Sequence, residues 1–191
     1  KHNAEKIIQE NSVLNNWAIH RFPGVFGKFS RPYYNTVVAT FCDSVINDVP
    51  LIINDAEKSI TLMYIDDVVN ELVKSLESDE CGLISLKNTV TLTVGELAQK
   101  ISELHRLRQQ NFLPSFPDKF SLNLYSTYVS FYCSSSVTQP LIAHRDSRGT
   151  FVEIWKTEQQ GQFSYFTALP GVTRGEHYHN SKTEKFLVVA G

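Results

Sequence analysis

An excess of charge of either sign is missing from this chain. Eighteen Lys and Arg stand against twenty Asp and Glu, a net charge of −2. That leaves no electrostatic footprint for nucleic acid or for an anionic membrane surface. Cysteine is scarce too: Cys42, Cys81 and Cys133 are odd in number, far apart and form no CxxC pair. This argues against a disulfide framework or a zinc ribbon and fits a reducing, cytoplasmic setting. No apolar run approaches the ~18 residues of a membrane span, and no signal peptide is visible, so no membrane insertion is expected. No internal repeat is seen. Lys1 is not a natural start, and the 191 residues are expected to be a fragment of a longer protein.

What is present is ordinary globular composition, 42% hydrophobic and 20% charged, enough for one large or two small domains. Residues 1–10 read as a helix, with Ala4, Ile7 and Ile8 at helical spacing. Residues 17–22 read as a strand broken by Pro23-Gly24, and 35–47 as a helix. Residues 51–53 and 59–64 read as short strands around the turn Asn54-Asp55. Asp66-Asp67 suit the N-terminus of a helix running to about residue 76. Residues 82–86 read as a strand. Thr93 with Glu96 is a capping box that opens a helix to about residue 107. This alternation is α/β. Beyond a break at 112–117, residues 122–131 read as one more helix and 133–139, with three serines, as a linker. Short strands are then expected at 150–156, 162–169, 175–179 and 184–190, an all-β module.

The C-terminal stretch carries the sharpest chemical pattern. Gly171, His177, Tyr178, His179, Glu184 and Gly191 follow the spacing G-x5-H-x-H-x4-E-x6-G. Two histidines at i and i+2 on a strand share a face. A hairpin would bring Glu184 alongside them, making His177, His179 and Glu184 a three-ligand set for Zn2+ or another divalent metal. A solvated His-Tyr-His turn is the bland alternative.

That spacing is also the first signature of the cupin family. A cupin's second motif is absent, which implies that only half of the small barrel is present. The first part resembles an extended short-chain dehydrogenase. Lys1-His2-Asn3-Ala4-Glu5 is similar to the tail of its YxxxK segment. Arg21-Phe22-Pro23-Gly24-Val25-Phe26-Gly27, Arg31-Pro32 and Tyr64-Ile65-Asp66-Asp67-Val68-Val69 match later blocks. The resemblance implies a Rossmann-like α/β part, residues 1–133, a linker at 134–140 and half of an all-β cupin or jelly roll at 141–191. It implies that Lys1 is the active-site lysine, bonded to the nicotinamide ribose and lowering the pKa of a nearby tyrosine. Pro23 and Val25 would lie near the nicotinamide of NADPH or NADH, and Arg31 and Asn35 at the substrate's diphosphate. The Gly-rich turn and the tyrosine would precede Lys1. Asp66 and Asp67 are read as structural.

The fusion of the two parts resembles the CapF-type family of capsular polysaccharide biosynthesis proteins. Arg21 through Asn35, Leu124-Tyr125-Ser126-Thr127-Tyr128, Arg148-Gly149-Thr150-Phe151, Gly161-Gln162-Phe163-Ser164 and Lys182-Thr183-Glu184-Lys185-Phe186 carry that resemblance. It implies a homo-oligomer that makes an N-acetyl-L-fucosamine precursor. The cupin would epimerise C3 of a UDP-linked 4-keto-6-deoxy-HexNAc, and the dehydrogenase would reduce C4. Asp146, Arg148-Gly149, Phe151, Glu153 and Arg174-Gly175-Glu176-His177 also resemble metal-free deoxysugar 3,5-epimerases. There His177 would be the catalytic base and Arg174 would bind the substrate's phosphate. His177 therefore stands as either ligand or base. A reductase or 4-epimerase with a merely structural cupin, and a non-enzymatic sugar-binding cupin on a degenerate dehydrogenase, are the alternatives.

Overall fold

The computed structural model describes residues 1–11, 16–133, 137–158, 161–175 and 178–191. The chain divides into two compact units, Lys1–Gln139 and Pro140–Gly191. The first holds α1 (His2–Glu10), β1 (Ala18–His20), β2 (Gly24–Phe26), α2 (Val37–Ile46), β3 (Ser59–Tyr64), α3 (Ile65–Glu77), β4 (Gly82–Ile84), β5 (Thr89–Thr93), α4 (Val94–Gln109) and α5 (Lys119–Val129). The second holds β6 (Ala143–Asp146), β7 (Gly149–Thr157) and β8 (Gly161–Phe166).

In the first unit β1 and β4 form a parallel pair, Ala18 opposite Gly82. A second sheet runs β2-β3-β5, with β2 parallel and β5 antiparallel to β3. Parallel pairs need long crossovers, and here helices supply them. The core lies between this second sheet and α2, α4 and α5: Phe26, Leu62, Tyr64 and Leu92 meet Val38, Phe41, Cys42, Leu97, Ile101, Leu124 and Tyr128. Leu97, Ile101 and Tyr128 are completely buried.

Local chemistry sets the helix ends. Thr93 accepts from the Glu96 amide at 3.0 Å, and Glu96 accepts from the Thr93 amide at 2.7 Å, the reciprocal capping box expected for α4. Asp118 caps α5 by accepting from the Ser121 amide at 2.7 Å. That cap starts the helix at Lys119, three residues before the position expected from periodicity. Thr36 caps α2, and Asn35 before it sits at φ 53°, so α2 starts at Val37 instead of Asn35.

Three strand expectations need correction. Residues 51–53 form no strand: Leu51 packs on the core, Ile52 is exposed, and no strand among the described residues pairs with them. The apolar triplet is a surface connection. Strand β5 was not foreseen, although Val90 and Leu92 alternate with three threonines along it. In the second unit β6 was likewise not foreseen; it pairs with β7, Asp146 opposite Gly149. Residues 184–190 form no strand. Phe186, Leu187, Val188 and Val189 are between 72% and 86% exposed, and no strand among the described residues pairs with them. The expected strand at 175–179 falls partly on residues 176–177, outside the described ones; Gly175, Tyr178 and His179 are irregular. The hairpin that was to carry the metal ligands is therefore not formed by the described residues.

Candidate functional site

Lys1 is the N-cap of α1 and is exposed, with no side-chain cap bond. One turn on, Glu5 accepts three bonds from the Arg21 fork: Nη2 to Oε2 at 2.7 Å, Nε to Oε2 at 3.2 Å and Nε to Oε1 at 3.3 Å. The guanidinium beside it lowers the Glu5 pKa, and the carboxylate raises that of Arg21. Arg21 is the first residue after β1, whose Ile19 is buried. Pro23 follows, half-buried, and Val25 lies exposed on β2 opposite Met63. Arg21 thus ties Glu5 of α1 to the residue that follows β1, two positions before Pro23. Gly27 closes the segment: a Cβ there would collide with Ile65 Cγ2 at the start of α3. Only glycine lets β2 and α3 approach this closely.

Arg31 and Asn35 belong to the loop from β2 to α2. Phe29, Tyr33 and Asn35 there all have positive φ, 59°, 60° and 53°. Each such residue costs about 1–3 kcal/mol unless its surroundings hold it. Here they do: the Phe29 amide donates to Ser130 Oγ, Tyr33 donates its amide to Thr40 and its hydroxyl to Asp43. The Arg31 guanidinium lies 5.5 Å from the Tyr34 ring centroid. Arg31 and Asn35 are both exposed on this pinned loop.

In the second unit, Arg174 donates to the Thr167 carbonyl at 3.0 Å and covers the Phe166 ring at 5.4 Å, with Phe186 edge-on to that ring. Arg148 is engaged by Asp146 through two side-chain bonds of 3.0 and 2.6 Å. Ser147-Arg148 is the turn between β6 and β7, and Gly149 is the first residue of β7. His179 Nε2 and Glu184 Oε1 stand 3.8 Å apart. His177 lies outside the described residues. Two of the three expected metal donors are neighbours, and no group of three candidate donors forms among the described residues.

Two features had no place in the sequence reading. Asp67, read as a helix-end carboxylate, is buried and takes 2.6 and 3.4 Å bonds from Lys119 and Asn88. These residues line a cleft of about 510 Å³ with Phe26, Tyr64, Lys100 and Phe120. Second, His105 Nδ1, the Tyr128 hydroxyl and the Tyr132 hydroxyl form a half-buried chain at 3.0 and 2.6 Å, joining α4 to α5 and the residues just after it. Neither shows a sequence signal, because each joins residues more than twenty positions apart.

Comparison with known proteins gives these features a context. Residues 144–191 match the family described as polysaccharide biosynthesis C-terminal domain. The chain is 48% identical, over 91% of its length and 47% of the relative's, to UDP-2-acetamido-2,6-beta-L-arabino-hexul-4-ose reductase of Pseudomonas aeruginosa. The crystal structure of CapF with the inhibitor 3-isopropenyl-tropolone matches with a TM-score of 0.79 at 35% identity, over 86% of this chain and 48% of that one. CapF of Staphylococcus aureus is a capsular polysaccharide assembling protein. The chain is similar to CapF-type proteins along most of its own length. It spans about half the length of these relatives. The fold of the first unit is also that of a Thermus thermophilus UDP-glucose 4-epimerase, with a TM-score of 0.53 at 18% identity over 68% of this chain and 50% of that one. Among the described residues no helix is long and apolar enough to cross a membrane.

Proposed function

We propose that the chain is part of a nucleotide-sugar enzyme whose first unit reduces a C4 ketone on a UDP-linked 6-deoxy amino sugar. The carrying observation is the 48% identity to a reductase whose name specifies a UDP-linked hexul-4-ose. The nicotinamide cofactor is part of the proposal, and the residues present fit it. Lys1 is an exposed cation, and Pro23 and Val25 are apolar residues on either side of Gly24. The cofactor, when bound, supplies the hydride. Lys1 would hold its ribose and keep a positive charge near the proton donor. Pro23 and Val25 would exclude water from the ring. Arg31 and Asn35 would meet the substrate diphosphate, where a guanidinium suits phosphate oxygens.

The second unit is proposed to epimerise C3 of the same sugar. A 4-keto group acidifies the C3 proton, so the step needs a base to take it, a positive group near the enolate oxygen and a proton returned on the opposite face. His177 is the proposed base and Arg174 the proposed anion contact. The metal reading of His177, His179 and Glu184 is supported only as far as the His179–Glu184 neighbourhood, and no step is routed through a metal. The alternative is a single reductase with the second unit as scaffold.

The test uses a protein of the relatives' full length that carries this chain. It is incubated in heavy water with the UDP-4-keto-6-deoxy sugar and no reduced nicotinamide, and the C3 proton is followed. Washout that vanishes in His177→Ala supports the epimerase. Absent washout, with C4 reduction once NADPH is added, leaves the scaffold reading. No reduction with either nicotinamide overturns the proposed reductase.

A further inference from the structure

The Glu5–Arg21 pair lies outside the proposed site, yet it ties α1 to the end of β1. That helix has no buried side chain. Ile7 is 67% exposed, and Glu5 and Ile8 are only half-buried. A helix of nine residues is too short to hold its place by its own propensity. Among the described residues, the bonds from Arg21 are the only hydrogen bonds or ion pairs that reach α1 from another element.

The geometry couples this contact to Lys1. Lys1 and Glu5 stand one turn apart, so their side chains rise on the same helix face. The Glu5 amide also donates to the Lys1 carbonyl at 3.1 Å. Arg21 is equally fixed at its own end, because it continues directly from β1, which is paired to β4 from Ala18 to His20. Pro23 is two residues further along. The guanidinium fork engages both carboxylate oxygens, which restricts rotation of the helix as well as its distance.

We propose that Glu5 and Arg21 are positioning residues: their ion pair docks α1 on the end of β1 and sets Lys1 against the Pro23–Val25 segment. This inference rests on the reading of Lys1 given under Proposed function. It assigns to Glu5 and Arg21 no contact with substrate or cofactor. An exposed ion pair usually contributes little to global stability. The expected effect is therefore local, on α1 and on turnover, with the melting temperature almost unmoved.

The experiment compares Glu5→Gln, Arg21→Met, the exchanged pair Glu5→Arg/Arg21→Glu and Lys1→Ala in a protein of the relatives' full length. Two quantities are read: amide hydrogen exchange across α1 without cofactor, and kcat and KM for reduction of the keto sugar as a function of pH. Glu5→Gln and Arg21→Met should each speed exchange in α1 about tenfold while leaving α4 unchanged. Each should lower kcat about tenfold, with KM for the sugar nearly constant, as expected when a group is misplaced by a fraction of an ångström. The basic limb of the pH profile should move in the same direction as in Lys1→Ala. The exchanged pair should restore much of both quantities. Unchanged α1 exchange in Glu5→Gln overturns the docking role. Faster exchange with unaltered kcat, while Lys1→Ala lowers turnover, overturns the positioning role. Full activity of Lys1→Ala overturns the reading of Lys1 and this inference with it, and the exchange data then still report whether the pair holds the helix.

Discussion

Replacing Tyr128 separates packing from hydrogen bonding in the first unit. Its side chain is completely buried in α5. Its ring meets Tyr125, Tyr132 and His105 at centroid distances of 6.4, 5.5 and 6.2 Å, and its hydroxyl bridges Tyr132 and His105. Tyr128→Ala removes the whole ring, and a buried aromatic truncation costs about 3–5 kcal/mol. Tyr128→Phe removes only the hydroxyl, for which about 1 kcal/mol is expected. The low figure applies because the two orphaned partners already stand 3.4 Å apart, Tyr132 hydroxyl to His105 Nδ1, and can close on each other. The corresponding drop in Tm is about 2–4 °C for Phe and roughly three times that or more for Ala. All the helices described lie in the first unit, so urea unfolding followed by the helical circular dichroism signal reports that unit. A Phe variant that loses as much as the Ala variant would refute this division, since it would place the stabilisation in the hydroxyl chain and not in the ring.

Other outcomes follow from single contacts. Burial holds the His105 pKa below its usual range, with Asp48 raising it and Arg108 lowering it by smaller amounts. The folded state therefore prefers the neutral ring, which also faces Tyr128, Tyr132 and Gln109. Stability of the first unit should be full above the ordinary imidazole value of about 6.5 and fall as pH drops through it toward the lower folded value. His105→Gln should flatten that slope in urea titrations at several pH values. Gly27→Ala should destabilise by about 1–3 kcal/mol, because the stiff β-branched Ile65 cannot yield to the new methyl; an unchanged unfolding midpoint would contradict the close approach. Thr93→Ala should cost about 1 kcal/mol through loss of the capping box, with thermal unfolding as the check. Cys42 is buried and its thiol is pushed up to about 12, so in the native state it should react with a thiol reagent far more slowly than exposed Cys81.

Much of this protein was legible in residues close together in the chain. Thr93 and Glu96 announce α4 because a capping box needs only four consecutive residues. The α/β character follows from periodicities within single segments. The CapF-type relationship rests on short blocks such as Arg21 through Asn35 and Lys182 through Phe186. Local pattern could not decide pairing. Residues 51–53 and 184–190 are both strand-like in composition, yet neither is a strand here, because a strand exists only when a second one supplies its hydrogen bonds. Val90 and Leu92 formed β5 because β3 lay beside them. Asp67 reads as a helix-end carboxylate in isolation, and only the fold brings Lys119 to it across 52 positions. The same holds for Arg21 and Glu5, His105 and Tyr128. Helix caps and turns are contacts between near neighbours and can be read from the chain alone. Ion pairs, buried networks and clefts join distant residues, and which of them meet is set by how sheets and helices pack.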